Sequence, residues 1–259
     1  MDIEPQLVQA AFRPITLEEM DGIRLMNRID TKYLTNEQTL AGILHDAGAR
    51  GYMALVTDGS MLAAYDTLYF DTPDLRMFLD HHNRRLVRQK VRTRVYVGSG
   101  TTFLEIKRKN NHGRTKKKRV EIPQEEFRDF GGDAGACAYL AEKSWFTAEE
   151  LSPSVETVFR RITLVNPSWT ERVTIDSCVG FKNFRTGNEA SLRDAVIIEL
   201  KQDGRAPSEM KDILLGRRVK PVKVSKYCMG VTLTDPEVKR NRFKGKIRRI
   251  EKIINKKLI

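Results

Sequence analysis

The chain has 259 residues, room for one large domain or two small ones, and its 40% hydrophobic and 31% charged content excludes a disordered chain. No apolar run approaches the roughly 18–20 residues of a membrane span. The start Met1-Asp2-Ile3-Glu4-Pro5 lacks a signal peptide's basic and apolar regions, and Cys137, Cys178 and Cys228 are too scattered for a disulfide framework or zinc knuckle. A folded cytoplasmic protein is expected, and its net charge of +12 points to a polyanionic partner.

In chain order, a strand over 26–34 leads into a helix over 36–49, with Asn36 as N-cap and Leu40, Ile43, Leu44 and Ala47 on one face. Strand-like runs follow at 51–58, 63–71, 86–97, 102–109 and 115–122. Residues 123–147 predict one or two short helices, opened by Pro123 and broken at Gly131-Gly132. Strands over 155–165, 171–179 and 196–201 and a short helix over 207–215 complete the body. Strands outnumber helices without regular alternation, so the fold class is α+β with a largely antiparallel sheet. In residues 239–259, ten basic residues and one Glu surround Phe243, Ile247, Ile250, Ile253, Ile254 and Leu258 at helical spacing. This predicts a basic amphipathic helix (236–259) after a domain over 1–235. Its apolar face either docks on that domain or meets an anionic membrane surface or a partner.

Residues 84–119 hold fourteen Lys/Arg against one acid, Glu105. Arg88, Lys90, Arg92 and Arg94 share one strand face, opposite Val87, Val91, Val95 and Val97. Phe103, Glu105, Lys107 and Lys109 alternate in the same way, as do Arg172, Thr174 and Asp176, and Ile197, Glu199 and Lys201. A half-exposed sheet also alternates, but four cations in a row repel one another and solvated faces usually mix signs. Several such faces closed into a barrel make a charged lumen that a polyanion would neutralise.

Other motifs carry less. His81-His82 as adjacent strand residues would point to opposite sides, which argues against a metal pair, and His112 reads as a turn residue. Asp71 in Asp71-Thr72-Pro73-Asp74 either closes a turn or orients a lumen cation. No P-loop or dinucleotide fingerprint is present. A nucleic-acid partner is disfavoured, because Tyr96 is the only aromatic residue in the densest basic strand.

Eight motifs in order resemble the polyphosphate polymerase domain of the vacuolar transporter chaperone family, a branch of the triphosphate tunnel metalloenzymes. They are Arg28-Ile29-Asp30-Thr31-Lys32-Tyr33, Tyr69-Phe70-Asp71-Thr72-Pro73, Arg88-Gln89-Lys90-Val91-Arg92-Thr93-Arg94 and Phe103-Leu104-Glu105-Ile106-Lys107. The later four are Phe159-Arg160-Arg161, Arg172-Val173-Thr174-Ile175-Asp176, Ile198-Glu199-Leu200-Lys201 and Lys223-Val224-Ser225-Lys226-Tyr227. The resemblance implies an eight-stranded antiparallel tunnel barrel that transfers the terminal phosphoryl group of ATP to a growing polyphosphate chain with Mn²⁺ or Mg²⁺. By position, Lys32, Arg92, Arg94, Lys107, Arg161, Arg172 and Lys226 would act at the reacting phosphates, and Glu199 would bind the metal. Arg161 is preferred to Arg160 on the family's aromatic-x-Arg spacing. Arg28, Arg88, Lys90, Lys117, Arg119, Lys201 and Lys223 would line the rest of the path.

Hydrolytic members of that superfamily generally open with Glu-x-Glu-x-Lys, where this chain has Arg28, Asp30 and Lys32. Exchanging a metal carboxylate for a cation favours a polymerase over a tripolyphosphate or nucleoside triphosphate hydrolase. A non-catalytic polyphosphate or inositol-polyphosphate binder is a further reading, which the presence of Glu199 opposes. The family's yeast members belong to membrane complexes, so the basic tail is a candidate for docking a membrane protein or holding the chain peripherally at a membrane.

Overall fold

A computed structural model describes residues 3, 7, 10–21, 28–204 and 207–258. Residues 26–27 of the first expected strand and Ile259 of the expected tail helix lie outside them, as do Met1, Asp2, Glu4 and Pro5. The elements run β1 (Arg13–Ile15), α1 (Leu17–Asp21), β2 (Arg28–Asn36), α2 (Glu37–Ala49), β3 (Met53–Leu55), β4 (Ala63–Asp71), α3 (Arg76–His82), β5 (Arg88–Tyr96), β6 (Thr102–Lys109) and β7 (Thr115–Ile122). A 3-10 turn (Gln124–Phe127) and α4 (Ala134–Lys143) precede β8 (Ser152–Val165), β9 (Glu171–Asn183), β10 (Glu189–Ser191) and β11 (Ala195–Asp203). Three helices close the chain: α5 (Glu209–Gly216), α6 (Lys226–Thr234) and α7 (Asn241–Ile254).

Eight strands form one antiparallel path in the order β2-β11-β9-β8-β4-β5-β6-β7, which bears out the α+β, eight-stranded antiparallel expectation. β3 joins β8 and pairs in parallel with β1, and β10 lies beside β9. Among the described residues the end strands β2 and β7 do not pair, so the sheet curls as a half-barrel. The segment before α6 meets the free edge of β2: the Val222 amide donates to the Lys32 carbonyl at 2.7 Å.

The outer face is apolar. Leu40, Ile43 and Leu44 of α2 and Met210 and Leu214 of α5 pack on Val173, Ile175, Ile198 and Leu200. Leu140 of α4 and Phe127 cover Leu68, Val91, Leu104 and Ile106. Asn36 caps α2 as expected, its side chain accepting from the Thr39 amide at 2.8 Å, and the 123–147 segment resolves into the 3-10 turn and α4.

The inner face is split. At one end α6 lies against it, with Tyr227, Cys228, Met229 and Val231 packed on Leu34, Val155, Phe159, Val179, Phe181 and Ile197. A β-bulge makes this possible. Val158 pairs with Gly180 but Arg160 with Ser177, and Cys178 takes a left-handed conformation at φ 51°. The extra residue shifts β9's inner side from Arg172, Thr174 and Asp176 to Val179 and Phe181. One strand therefore presents charge to the lumen and apolar groups to α6.

Several expectations are corrected here. His81 and His82 end a helix rather than lie on a strand; α3 forms because Asp71 accepts the Met77 and Phe78 amides at 2.9 Å. Asp71 also accepts from the Tyr227 hydroxyl, so it ties α3 to α6 and does not orient a lumen cation. Val87 and Val97 lie beyond the ends of β5 and are 48% and 53% exposed. The tail helix, by contrast, docks on the domain, the first of its two expected readings: Phe243, Ile247, Ile250 and Ile254 are buried in the α6 cluster, and Asn36 Nδ2 donates to the Ile253 carbonyl at 2.9 Å. Among the described residues no helix is long and apolar enough to cross a membrane.

Candidate functional site

Beyond α6 the inner face becomes a charged lumen. The register sets Glu199 of β11 opposite Lys32 of β2 on one side and Thr174 of β9 on the other. Glu199 accepts from Lys32 Nζ at 2.8 Å and Lys201 Nζ at 3.1 Å. Burial alone would raise the Glu199 pKa, but the Lys201 and Lys32 charges hold it well below the usual carboxylate range. Lys107 of β6, several strands along the path from β11, interacts with Glu199 across the lumen, so the curl brings opposite walls together.

Two further carboxylates anchor cations. Glu105 of β6 accepts from Arg92 Nε at 2.6 Å and Lys117 Nζ at 2.8 Å, and Arg92 Nη1 donates to the Tyr69 hydroxyl at 3.0 Å. Asp176 of β9 takes Arg161 as a fork, at 2.6 and 2.8 Å, together with Lys226 from the first turn of α6. Arg161 thus faces the lumen, and Arg160 is exposed on the other side of β8. Arg94 donates to Thr67 Oγ1 at 3.1 Å and lies 5.5 Å from the Tyr65 ring centroid.

The remaining cations crowd one another. The Arg92 charge, burial and Arg94 push Lys107 well below the usual lysine range. Burial, then Arg28 and Arg161, push Arg172 down, and its Nε is buried without a hydrogen-bond partner. Burial lowers Lys201 to about 8 and Lys226 to about 7.

The expected residues otherwise fall along the lumen and its rims. Lys90 donates to Ser225 Oγ at 2.7 Å, and Arg88 Nη1 to the Arg85 carbonyl at 2.6 Å. Arg28 pairs with Asp30 at 2.6 Å on an exposed part of β2, Arg119 stacks 4.3 Å from the Phe103 centroid, and Lys223 is exposed before α6. Sequence reasoning left Tyr65, Thr67 and Tyr69 without a role. Their alternation along β4 opposite Tyr96, Arg94 and Arg92 was the available signal. It likewise left Glu105 and Asp176 unassigned, although strand parity already put them on the charged face.

Chemically, the lumen suits a polyanion: fixed guanidinium groups can bind phosphate oxygens bidentately and ammonium groups act as point charges. A hard divalent metal takes one or two protein carboxylates and completes its shell with phosphate oxygens and water. Among the described residues no three His, Cys, Asp or Glu side chains cluster; the ionised carboxylate of Glu199 is one that could hold such a metal.

The fold has solved relatives. An adenylate cyclase-like protein from Bacillus halodurans superposes at TM-score 0.50 and 13% identity over 77% of this chain and 96% of that one. An adenylyl cyclase-like protein from Hippeastrum, described as having dominant triphosphatase activity, superposes at TM-score 0.48 and 13% identity over 79% of this chain and 95% of that one. No curated protein sequence matches the chain. Residues 27–234 match the family model of the VTC domain, and the chain belongs to that family.

Proposed function

We propose that the lumen transfers the terminal phosphoryl group of ATP to a polyphosphate chain, making the protein a metal-dependent phosphotransferase of the polymerase type. The observation that carries this reading is an excess of lumen cations over carboxylates: the Arg92 charge, then burial, push Lys107 down, and burial, then neighbouring arginines, push Arg94 and Arg172 down. A triphosphate relieves that repulsion. Phosphoryl transfer needs positioning and charge stabilisation more than covalent chemistry, and a ring of fixed cations provides both.

In this reading Lys32, Arg92, Arg94, Lys107, Arg161, Arg172 and Lys226 hold the reacting phosphates. Arg28, Arg88, Lys90, Lys117, Arg119, Lys201 and Lys223 guide the rest of the chain. Glu105 and Asp176 keep their arginines aimed inward. Glu199 is the carboxylate for Mn²⁺ or Mg²⁺, which when bound neutralises charge on the phosphate oxygens. Lys32 and Lys201 hold Glu199 ionised, the state in which it would take a metal. Arg28 beside Asp30, where a hydrolase carries metal carboxylates, favours a long polyanion over a second metal.

Glu199→Gln tests the assignment. It should lower ADP formation from ATP by at least about a hundredfold while tripolyphosphate binding stays within about threefold, because transition-state charge stabilisation is lost and ground-state charge is not. Normal turnover in this variant would contradict it.

A further inference from the structure

Basic side chains from several separate segments gather where α3 meets α7, outside the lumen centre. Lys109 of β6 pairs with Arg88 of β5, Lys90 donates to Ser225 Oγ two residues after Lys223, and Lys246 Nζ lies 5.1 Å from the Phe243 ring centroid. Their charges bear on one another: burial, Arg88 and Lys223 push Lys109 down, and burial, then Arg84, Lys90 and Arg88, push Lys246 down. His81 sits among them with its Nδ1 buried and unpartnered, held far below the ordinary histidine range by burial and by Lys90, Arg88, Lys246 and Lys109. Arg84, Arg88, Lys109, Lys223 and Lys246 have no carboxylate partner among the described residues. Next to them, a cavity of about 540 Å³ is lined by His82, Lys239, Arg240, Asn241 and Lys244, again without an acid. α7 is fixed in place there, with Phe243 stacked 5.7 Å from Phe78 and Asn241 Oδ1 2.6 Å from His82 Nε2.

We propose that this α3–α7 junction is an outer station for a polyphosphate chain whose terminal phosphates occupy the lumen, holding later phosphates on Arg84, Lys109, Lys223 and Lys246. The inference rests on the lumen reading above and adds a length-dependent site, partly built by a helix beyond the 27–234 family match. Two observations favour a chain over a lipid headgroup. The cations continue from the lumen through Lys90 and Arg88 rather than forming an isolated patch. The apolar face of α7 is buried in the core, which leaves little apolar surface to insert into a bilayer.

The test compares chain lengths on the full protein. Binding of an end-labelled chain of about sixty phosphates is followed by fluorescence anisotropy and tripolyphosphate by calorimetry, for the unsubstituted protein, Arg84→Glu/Lys246→Glu and the milder Arg84→Gln/Lys246→Gln. The expected result is a loss of about tenfold or more in long-chain affinity for the charge reversal and a smaller loss for the neutral pair, with tripolyphosphate changed less than about twofold. Unchanged long-chain affinity, or equal loss for both lengths, overturns the proposal. So does loss of binding to phosphatidylglycerol vesicles while long-chain binding stands, which marks a headgroup site. Failure of the unsubstituted protein to bind tripolyphosphate contradicts the lumen reading itself, and the length dependence falls with it.

Discussion

Glu105 and Glu199 are both lumen carboxylates flanked by cations, yet their settings assign them different work. Glu105 is fully buried beneath Arg92 and Lys117, and Glu199 keeps some solvent access. Removing one partner of a buried pair strands the other charge, so Glu105→Ala should destabilise the fold by about 3 kcal/mol or more, measured by urea unfolding. A loss below about 1 kcal/mol would mean that Arg92 finds water instead. Lys226 offers a pH test. Burial brings its pKa from 10.5 to about 7, so in the empty protein it is charged below that pH and neutral above it. Tripolyphosphate affinity should therefore fall between pH 6 and 9 as Lys226 and then Lys201, at about 8, lose their charge, by up to about tenfold for each charge-assisted contact, and Lys226→Arg should remove the part of the fall centred near pH 7. Asp66 lies outside the lumen. Burial, and then the charge of Glu156, raise its pKa from 3.8 to about 7. A raised carboxyl pKa gives stability that is complete below about 4 and lost as pH rises through 7. Asp66→Asn should accordingly raise the melting temperature at pH 8 and change it little at pH 4; equal shifts at both would contradict this account.

Strand parity made the lumen legible. Alternation in β5, β6, β9 and β11 placed Arg92, Lys107, Asp176 and Glu199 on one face before any tertiary information. It did not show where that face changes character, because the bulge at Cys178 inserts one residue, and an insertion of one is invisible to a period of two. α3 escaped notice because it is nucleated by Asp71 and entered through Leu75 at φ 58°, and a short, locally apolar run carries little periodicity. α6 is buried on several sides, which leaves no polar stripe to betray a helix. Its fit against β8 and β9 depends on Gly230, where a Cβ would stand 2.6 Å from Val155 Cγ1 and 2.8 Å from Phe181 Cδ1. Gly230→Ala should destabilise by about 1–2 kcal/mol despite the better helix propensity, lowering the melting temperature by a few degrees. The tail was legible as an amphipathic helix but not in what it covers. Since Phe243, Ile247, Ile250 and Ile254 are core residues, deleting 239–259 should cost several kcal/mol at about 1.5–3 kcal/mol per buried side chain. An unchanged urea midpoint would show that the helix only rests on the body.

At the scale of the whole molecule, an eight-strand path folds its charged face inward, and helices cover the apolar face from outside and plug one end from within. That arrangement brings Lys107 on β6 within electrostatic reach of Glu199 on β11, an approach that no local pattern contains. It also concentrates positive charge where a flat sheet would disperse it into water, so the lumen attracts a polyanion and binding should weaken as salt rises. The most direct measurement is a product assay of the purified protein with ATP and Mn²⁺, with phosphate chains resolved by length on a gel. A ladder of long chains together with ADP is expected. Free phosphate without chains, or rapid loss of added tripolyphosphate, would contradict polymerisation and make the lumen a hydrolytic site.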